Sequence, residues 1–373
     1  MSAAKRKKKP LPKRIAGAIL RMVAARPQGR PKLRPDQLKR VLLIRYDRLG
    51  DMVITTPLID ALRRLAPQAE IDVLASWRNA ALIEKDPRIH AVYRWDGSPI
   101  RRLRTLIACR QRKYDVTFQL ILWRTTLPGL LAGMLTPQGR VVSRDDSNNR
   151  TIFDHTYKVN SATHYSEQVY GFLEAGLDIH EGVPEMPPYS LHIHKDQEQA
   201  TRETLQKSGL ETASFILLNI SAGEKERELT HEQNVHLVRE LLRTGTSRGL
   251  KVVITGSPGD RERAQHISEA ISSKDLSLFF GTLPEVLVAI REACCIITPD
   301  TGTNHLASAL QTPTVAFFTR DGRPVGWGPR VTPHRIVQAA EGNNATAIDV
   351  NQIVTATEDI LREVSVGNAS AHI

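Results

Sequence analysis

The chain has 373 residues, of which 41% are hydrophobic and 24% charged, and a formal net charge of +11 at pH 7. That length suits two domains, each burying its own core, the composition is globular, and no apolar run approaches the roughly 18 residues of a membrane-spanning helix. The charge is uneven: residues 1–40 hold fourteen Lys or Arg against one acid, Asp36, leaving 37 bases against 39 acids in residues 41–373. A basic excess confined to one end, with few aromatics, excludes a nucleic-acid-binding surface spread over the folded body. Cys109 and the adjacent Cys294 and Cys295 make an odd count without Cys-x-x-Cys spacing. This argues against a disulfide framework or a zinc site and fits a reducing cytoplasm. The N-terminal apolar positions are interrupted by Arg21, so no secretory signal is expected.

In chain order, the run Lys5-Arg6-Lys7-Lys8-Lys9 opens a segment expected to stay unfolded until it meets an anionic surface. From Lys13 to Arg26, Ile15, Ile19, Met22 and Val23 share one helical face with the basic residues largely off it. This predicts a short basic amphipathic helix that holds the protein on an anionic leaflet, remains a solvated tail or packs on the body of the protein. Residues 1–40 are thus read as a tail. Val41 to Tyr46 is the first strand, followed by Asp47-Arg48-Leu49-Gly50-Asp51 and a helix from about Met52 to Leu65. Asp51 therefore stands at a helix N-terminus beyond the carboxyl end of a strand, as a cap or as a functional carboxylate.

Strands are predicted at Ile71 to Ala75, Ala91 to Trp95 and Asp115 to Leu120, with helices at 77–85 and 98–112. Residues 139–160 read as a loop-rich edge with one or two short strands, and Tyr165 to Gly176 as a helix. The segment from Gly182 to Pro188 is proline-rich and reads as the connection between a first domain, 41–185, and a second, 195–345. The pattern then restarts. Phe215 to Asn219, Leu250 to Thr255 and Ser277 to Phe280 are strands; His231 to Thr246, Arg261 to Ser272 and 283–293 are helices. Residues 346–373 carry a last helix, Ala347 to Val364, expected to cross back to the first half. Strands and helices alternating at this spacing predict an α/β protein with two doubly wound parallel sheets facing a central cleft.

The densest chemistry lies at 294–318, where a buried-type strand, Cys294 to Thr298, meets the turn Pro299-Asp300-Thr301-Gly302-Thr303 and a helix through Leu306, Ala309 and Leu310. Free N–H groups at a helix N-terminus, with no side chain at Gly302, make a site for phosphate oxygens. The competing assignment is that Asp300 and Thr301 merely cap the helix. His305 falls four residues after Thr301 and turns toward the same loop.

Taken together, VLLIRYDRLGDMVITTPLIDALRRLAPQAEIDVLAS, LNISAG at 218–223, ITGSPGDRERA at 254–264 and PDTGTNHLASALQTPTVAFF resemble glycosyltransferase family 9, the heptosyltransferases of lipopolysaccharide core synthesis, over roughly residues 40–330. The resemblance implies a GT-B fold and metal-independent, inverting transfer from a nucleotide sugar, ADP-heptose, to a lipid-linked glycan acceptor at the inner leaflet. It requires no cofactor. Asp51 matches the family's base. Such displacement needs a carboxylate to take the acceptor proton, and amides and cations to receive the leaving nucleoside diphosphate. The resemblance places the amides at Thr301, Gly302 and Thr303, and the cation at Arg227 with Lys225 as rival. Asp300 and His305 border the donor, Gly256 and Ser257 the nucleoside, and Gly281 and Thr282 the adenine edge. Arg45 and Arg48 are candidate contacts to a phosphorylated or carboxylated acceptor, and Glu224 to Thr230 has the alternative of being a solvated charged loop. Another nucleotide sugar or acceptor remains open within the class. A nicotinamide-dependent oxidoreductase is disfavoured because the first turn lacks G-x-G-x-x-G, and an inactive membrane-associated binding protein because Asp51, Asp300 and His305 occur together.

Overall fold

The computed structural model describes residues 24–370 except 124 and 148, with side chains to residue 364. The Lys5 to Lys9 run and the helix expected from Lys13 lie outside the described residues, save positions 24–26. The first half contains β1 Arg40–Ile44, α1 Leu49–Val53, α2 Thr56–Leu65, β2 Glu70–Ala75, β3 Ala91–Arg94, α3 Pro99–Gln111, β4 Val116–Gln119, α4 Thr126–Leu135, β5 Arg140–Arg144, β6 His155–Tyr157, α5 Tyr165–Tyr170 and α6 Phe172–Gly176. The second comprises α7 Lys195–Lys207, β7 Phe215–Asn219, α8 His231–Thr246, β8 Lys251–Thr255, α9 Arg261–Ile271, β9 Leu276–Leu278, α10 Leu283–Glu292, β10 Cys295–Pro299, α11 Gly302–Ala309, β11 Thr314–Phe318, α12 Pro324–Trp327, β12 His334–Gln338 and α13 Val350–Ser370.

Both sheets are parallel and share one topology. Their orders are β3-β2-β1-β4-β5-β6 and β12-β11-β10-β7-β8-β9. Strand order reverses between β1 and β4, and again between β7 and β10, so each sheet has one crevice beyond its strand ends at that point. The strands are continuous apolar runs because both faces are covered. In β1, Val41 and Leu43 enter the core with Leu58, Ile59 and Val169, while Leu42 and Ile44 enter the opposite one with Cys109, Leu131 and Phe153.

The helix expected from Met52 to Leu65 is interrupted. Thr55 caps α2 and Pro57 sits in its first turn, where a missing N–H costs nothing. The helix expected at 77–85 is a single 3-10 turn, Ala80–Leu82. Asn79 withdraws into the first turn instead, its Nδ2 donating to the Arg45 carbonyl at 2.9 Å and its Oδ1 accepting from the Ser76 N–H at 2.9 Å. Residues 139–160 supply two strands that complete the parallel sheet.

Residues 24–39 lie along the first domain. Arg26 and Arg30 share the Asp154 carboxylate at 2.6 and 3.1 Å, both donate to the Gly139 carbonyl, and Leu33 bridges Leu177. The last helix, expected on the first half, packs instead on α8 and the β10–β12 side of the second sheet. Ile353, Ile360 and Leu361 are apolar at helical spacing and bury among Leu237 and Leu241, which fixes the helix on its own domain.

Candidate active site

The site begins with a buried arginine. Arg45 leaves β1 with only 1% of its surface exposed, and a guanidinium so placed must find acceptors on every side. Its Nε donates to the Asp51 carbonyl at 2.8 Å and its Nη1 to the Leu120 carbonyl beyond β4. Nη1 also lies 3.3 Å from Asp47 Oδ2, and Nη2 3.4 Å from Asp51 Oδ1. Arg45 is therefore not an acceptor contact at the cleft surface, as the sequence suggested; it clamps two carboxylates from beneath. Asp51, itself buried, accepts the Arg48 N–H at 3.2 Å through its other oxygen. Capping and functional placement are compatible here, because one oxygen caps α1 while the other faces Arg45. Burial pushes Asp47 up to about 7, with Arg45 opposing the rise and Asp51 adding to it.

The opposite wall comes from the β10–α11 turn. Thr301 is the N-cap of α11 with no side-chain capping bond, so the first-turn N–H groups of Gly302 and Thr303 are free by position. Asn219, at the end of β7, steadies the turn by donating to Thr298 Oγ1 at 3.0 Å and Thr303 Oγ1 at 3.3 Å. Arg227 Nη1 donates to the Asp300 carboxylate at 3.0 Å and its carbonyl at 3.2 Å. Burial raises Asp300, against the charges of Arg227 and Arg48. Lys225 is exposed and forms no ion pair among the described residues, whereas Arg227 is already at the turn.

The two turns meet. A Cβ on Gly302 would stand 3.2 Å from the Gly50 nitrogen, and one on Gly50 only 2.5 Å from His305 Cδ2. A side chain at Gly50 would therefore clash across the cleft, and one at Gly302 would fit only if its neighbours gave by a few tenths of an ångström. Around them Arg48 reaches over to Glu224 at 3.1 Å, and Glu224 holds Arg227 at 3.2 Å. A chain of alternating charge, Arg48–Glu224–Arg227–Asp300, thus crosses between the domains. Glu224 is held below the usual carboxylate range by Arg48 first and Arg227 second.

His305 is turned inward. It packs between the Gly50 turn, Trp327 at 5.3 Å and His164 at 6.3 Å between ring centroids. Burial, with a smaller effect of His164, pushes it down to about 3; at neutral pH it carries no charge to offer a phosphate.

Gly256 and Ser257, expected to border the nucleoside, lie in the turn between β8 and α9. A Cβ at Gly256 would strike Ser221 Oγ at 2.5 Å, and the Ser257 N–H donates to that oxygen at 2.6 Å. Ser221 and Ser257 both donate to Asp260. Burial works against that carboxyl's ionisation, but these hydroxyls and Arg263 hold it below its usual range. Thr282 is occupied as the cap of α10, its N–H donating to Glu285 at 2.6 Å; with that N–H taken, it has no free amide for a base edge.

Sequence reasoning missed an aromatic group. Tyr165 and Trp327 lie 4.2 Å apart between ring centroids and Trp123 and Tyr165 5.2 Å, joining the two domains beside His305. His164 Nε2 adds an interdomain bond to the Gly328 carbonyl at 3.2 Å, and Arg330 pairs with Glu167 at 2.5 Å. The signal available was tryptophan and tyrosine placed at or just beyond the ends of predicted elements or within loops; nothing in it told that they meet.

Two Rossmann-like domains with facing switch points, a carboxylate turn on one side and a phosphate-type helix terminus on the other, define the two-domain GT-B class. Within that class, a family model for glycosyltransferase family 9 (heptosyltransferase) matches residues 142–352, over half the chain. The chain belongs to that family and is a glycosyltransferase. A putative glycosyltransferase of Haemophilus influenzae is 25% identical over 78% of this chain and 86% of its own. Lipopolysaccharide heptosyltransferase 3 of Escherichia coli K12 is 23% identical over 84% of this chain and 96% of its own. Among solved structures, a family 9 glycosyltransferase of Veillonella parvula superposes with a TM-score of 0.75 at 20% identity, covering 89% of this chain and 99% of that one. The E. coli ADP-heptose lipopolysaccharide heptosyltransferase II gives 0.70 at 18%, covering 87% and 99%.

Proposed function

We propose that the protein is an inverting, metal-independent transferase that moves heptose from ADP-heptose to a lipopolysaccharide core acceptor. The observation that carries the reading is the contact of the Gly50 and Gly302 turns, which brings the turn that carries Asp51 against the N-terminus of α11. Asp51 accepts the proton of the attacking acceptor hydroxyl as that oxygen bonds to the anomeric carbon and the bond to the nucleoside diphosphate breaks. Arg45 fixes the orientation of the Asp51 carboxylate. The N–H groups of Gly302 and Thr303, with Arg227, receive the negative charge that develops on the departing diphosphate. Arg227 is held by Asp300 and Glu224 in this structure, so donor binding exchanges one anionic partner for another. Lys225, exposed on the same loop, supplements it. The relatives named for lipopolysaccharide heptosyl transfer support the choice of sugar and acceptor.

With a lipid-linked acceptor, the working location is the inner face of the cytoplasmic membrane, and the basic N-terminal segment gives it an electrostatic hold there. The test is transfer from ADP-heptose to core acceptors in EDTA, with the anomeric configuration of the product read by NMR. Inverted product without added metal is the expected result. Activity with UDP- or GDP-sugars alone overturns the donor; dependence on a divalent ion overturns the mechanism.

A further inference from the structure

We propose that the outward face of α3 and α4 is a docking surface for an anionic lipid bilayer. This is a surface of the folded acceptor-side domain, distinct from the N-terminal segment. Ile100, Leu103 and Ile107 project from α3 at 64, 57 and 47% exposure, and Leu127 and Met134 from α4 at 73 and 51%. The spacing i, i+3, i+7 puts the first three on one stripe, and Leu127 and Met134 repeat it on α4. The two helices are neighbours, tied by Arg110 Nη1 donating to the Met134 carbonyl at 2.8 Å. The result is a strip of exposed aliphatic and thioether side chains along two neighbouring helices, beyond what scattered surface residues produce.

The charge around the strip identifies what covers it. Residues 99–113 carry Arg101, Arg102, Arg104, Arg110, Arg112 and Lys113 and no acid. Arg112 turns inward to Asp72 and Glu70, whereas Arg101, Arg102 and Arg104 are exposed and form no ion pair among the described residues. A second copy of the chain, meeting the first about a two-fold axis, sets these arginines against themselves. The chain's own residues 1–23 hold eight Lys or Arg and no acid, so they are repelled as well. An apolar strip ringed by unpaired guanidinium groups matches an interface of anionic headgroups over acyl chains.

One placement agrees with this. The helices α3 and α4 start just beyond the carboxyl ends of β3 and β4, so Ile100, Leu103 and Leu127 sit at the cleft end of the domain. Trp77, 66% exposed at the end of β2, lies at that end also, and tryptophan favours the headgroup level. Docking through this face brings the mouth of the cleft to the bilayer surface.

The test is co-sedimentation of the full chain with phosphatidylcholine vesicles containing or lacking phosphatidylglycerol. Binding is expected only with the anionic lipid. Ile100→Asn with Leu103→Asn and Ile107→Asn should lower the partition coefficient at least about tenfold, and Arg101→Gln with Arg104→Gln about fivefold per residue. Removing residues 1–23 should weaken binding while leaving it sensitive to both sets. The melting temperature of each variant reports folding, and the arginine pair keeps the test decisive if the asparagine triple is unstable. The proposal fails if the native chain ignores anionic vesicles, if both variants bind like it, or if deletion of 1–23 alone abolishes binding. It fails equally if light scattering shows that the native chain self-associates and the asparagine triple does not, since a second copy then covers the strip. No sugar transfer enters the assay, so an error in the donor does not affect it.

Discussion

The turn after β1 and the turn after β10 hold equivalent places in two sheets of the same strand order, yet they are built in opposite ways. At the first, the charge is buried and locked: Arg45 lies under Asp47 and Asp51 and is bonded to the Asp51 and Leu120 carbonyls. At the second, the charge lies on a loop. Arg227 is 29% exposed in its side chain and pairs with Asp300 and Glu224, partners that a diphosphate can replace. The difference follows from chemistry. A base must keep its orientation through the reaction, whereas a leaving-group site must admit and release a large anion.

The strongest way to break that comparison is at the locked side. Asp51→Asn keeps the shape and the capping oxygen but cannot accept a proton, so turnover should fall about a thousandfold with calorimetric ADP affinity unchanged. Equal loss of ADP affinity overturns the assignment of Asp51 to the acceptor side. Next is the contact between the turns. Gly50→Ala places a methyl 2.5 Å from His305 Cδ2 and must push the domains apart; turnover should fall about a hundredfold, with ADP binding to the second domain nearly preserved. Unchanged turnover means that the turns need not meet for reaction. On the loop side, Arg227→Ala should weaken ADP binding about tenfold to thirtyfold, the loss of one charge-assisted contact. If Lys225→Ala does more, the cation is Lys225.

These residues also show what was legible. The strand–turn–helix units around Asp51 and Asp300 were readable because continuous apolar strands and glycine turns are local features. Phe215 to Asn219 and His231 to Thr246 coincide with β7 and α8 for that reason. Arg45 misled because an arginine beside an aspartate-rich turn looks like surface, and only the return of β4 beside β1 puts Leu120 over it. His305 misled likewise: its offset from Thr301 was right, but the other domain's Gly50 turn and Trp327 close over it. Edge strand β12 is half-polar, with a burial pattern too weak for periodicity to reveal, whereas β6 falls in the stretch read as an edge with one or two short strands.

The burial of His305 makes a smaller but sharp prediction. Its folded pKa, about 3, lies below the model-peptide value of 6.5. The unfolded chain therefore binds a proton below pH 6.5 that the native state refuses. The sign is thus that stability is present above about 6.5 and lost as pH falls toward 3, by up to about 1.4 kcal/mol per pH unit. Denaturant titrations of His305→Gln should show a shallower acid limb between these values. An identical slope means that the histidine is not buried as the closed interface requires.

The smallest effect is expected at the rim, where Arg48 and Glu224 face each other across the cleft with side chains 62 and 45% exposed. Such a pair is screened by water and salt and is worth about 0.3–1 kcal/mol. Arg48→Ala should change kcat/KM for the donor less than about fivefold in moderate salt, with the difference fading as ionic strength rises. A much larger loss that persists in high salt, seen in the KM for the acceptor and not for the donor, reassigns Arg48 from a closing contact to a ligand of an anionic group on the acceptor. That outcome sharpens the contrast between the two turns, because the locked turn then carries its own exposed cation, aimed at the other substrate.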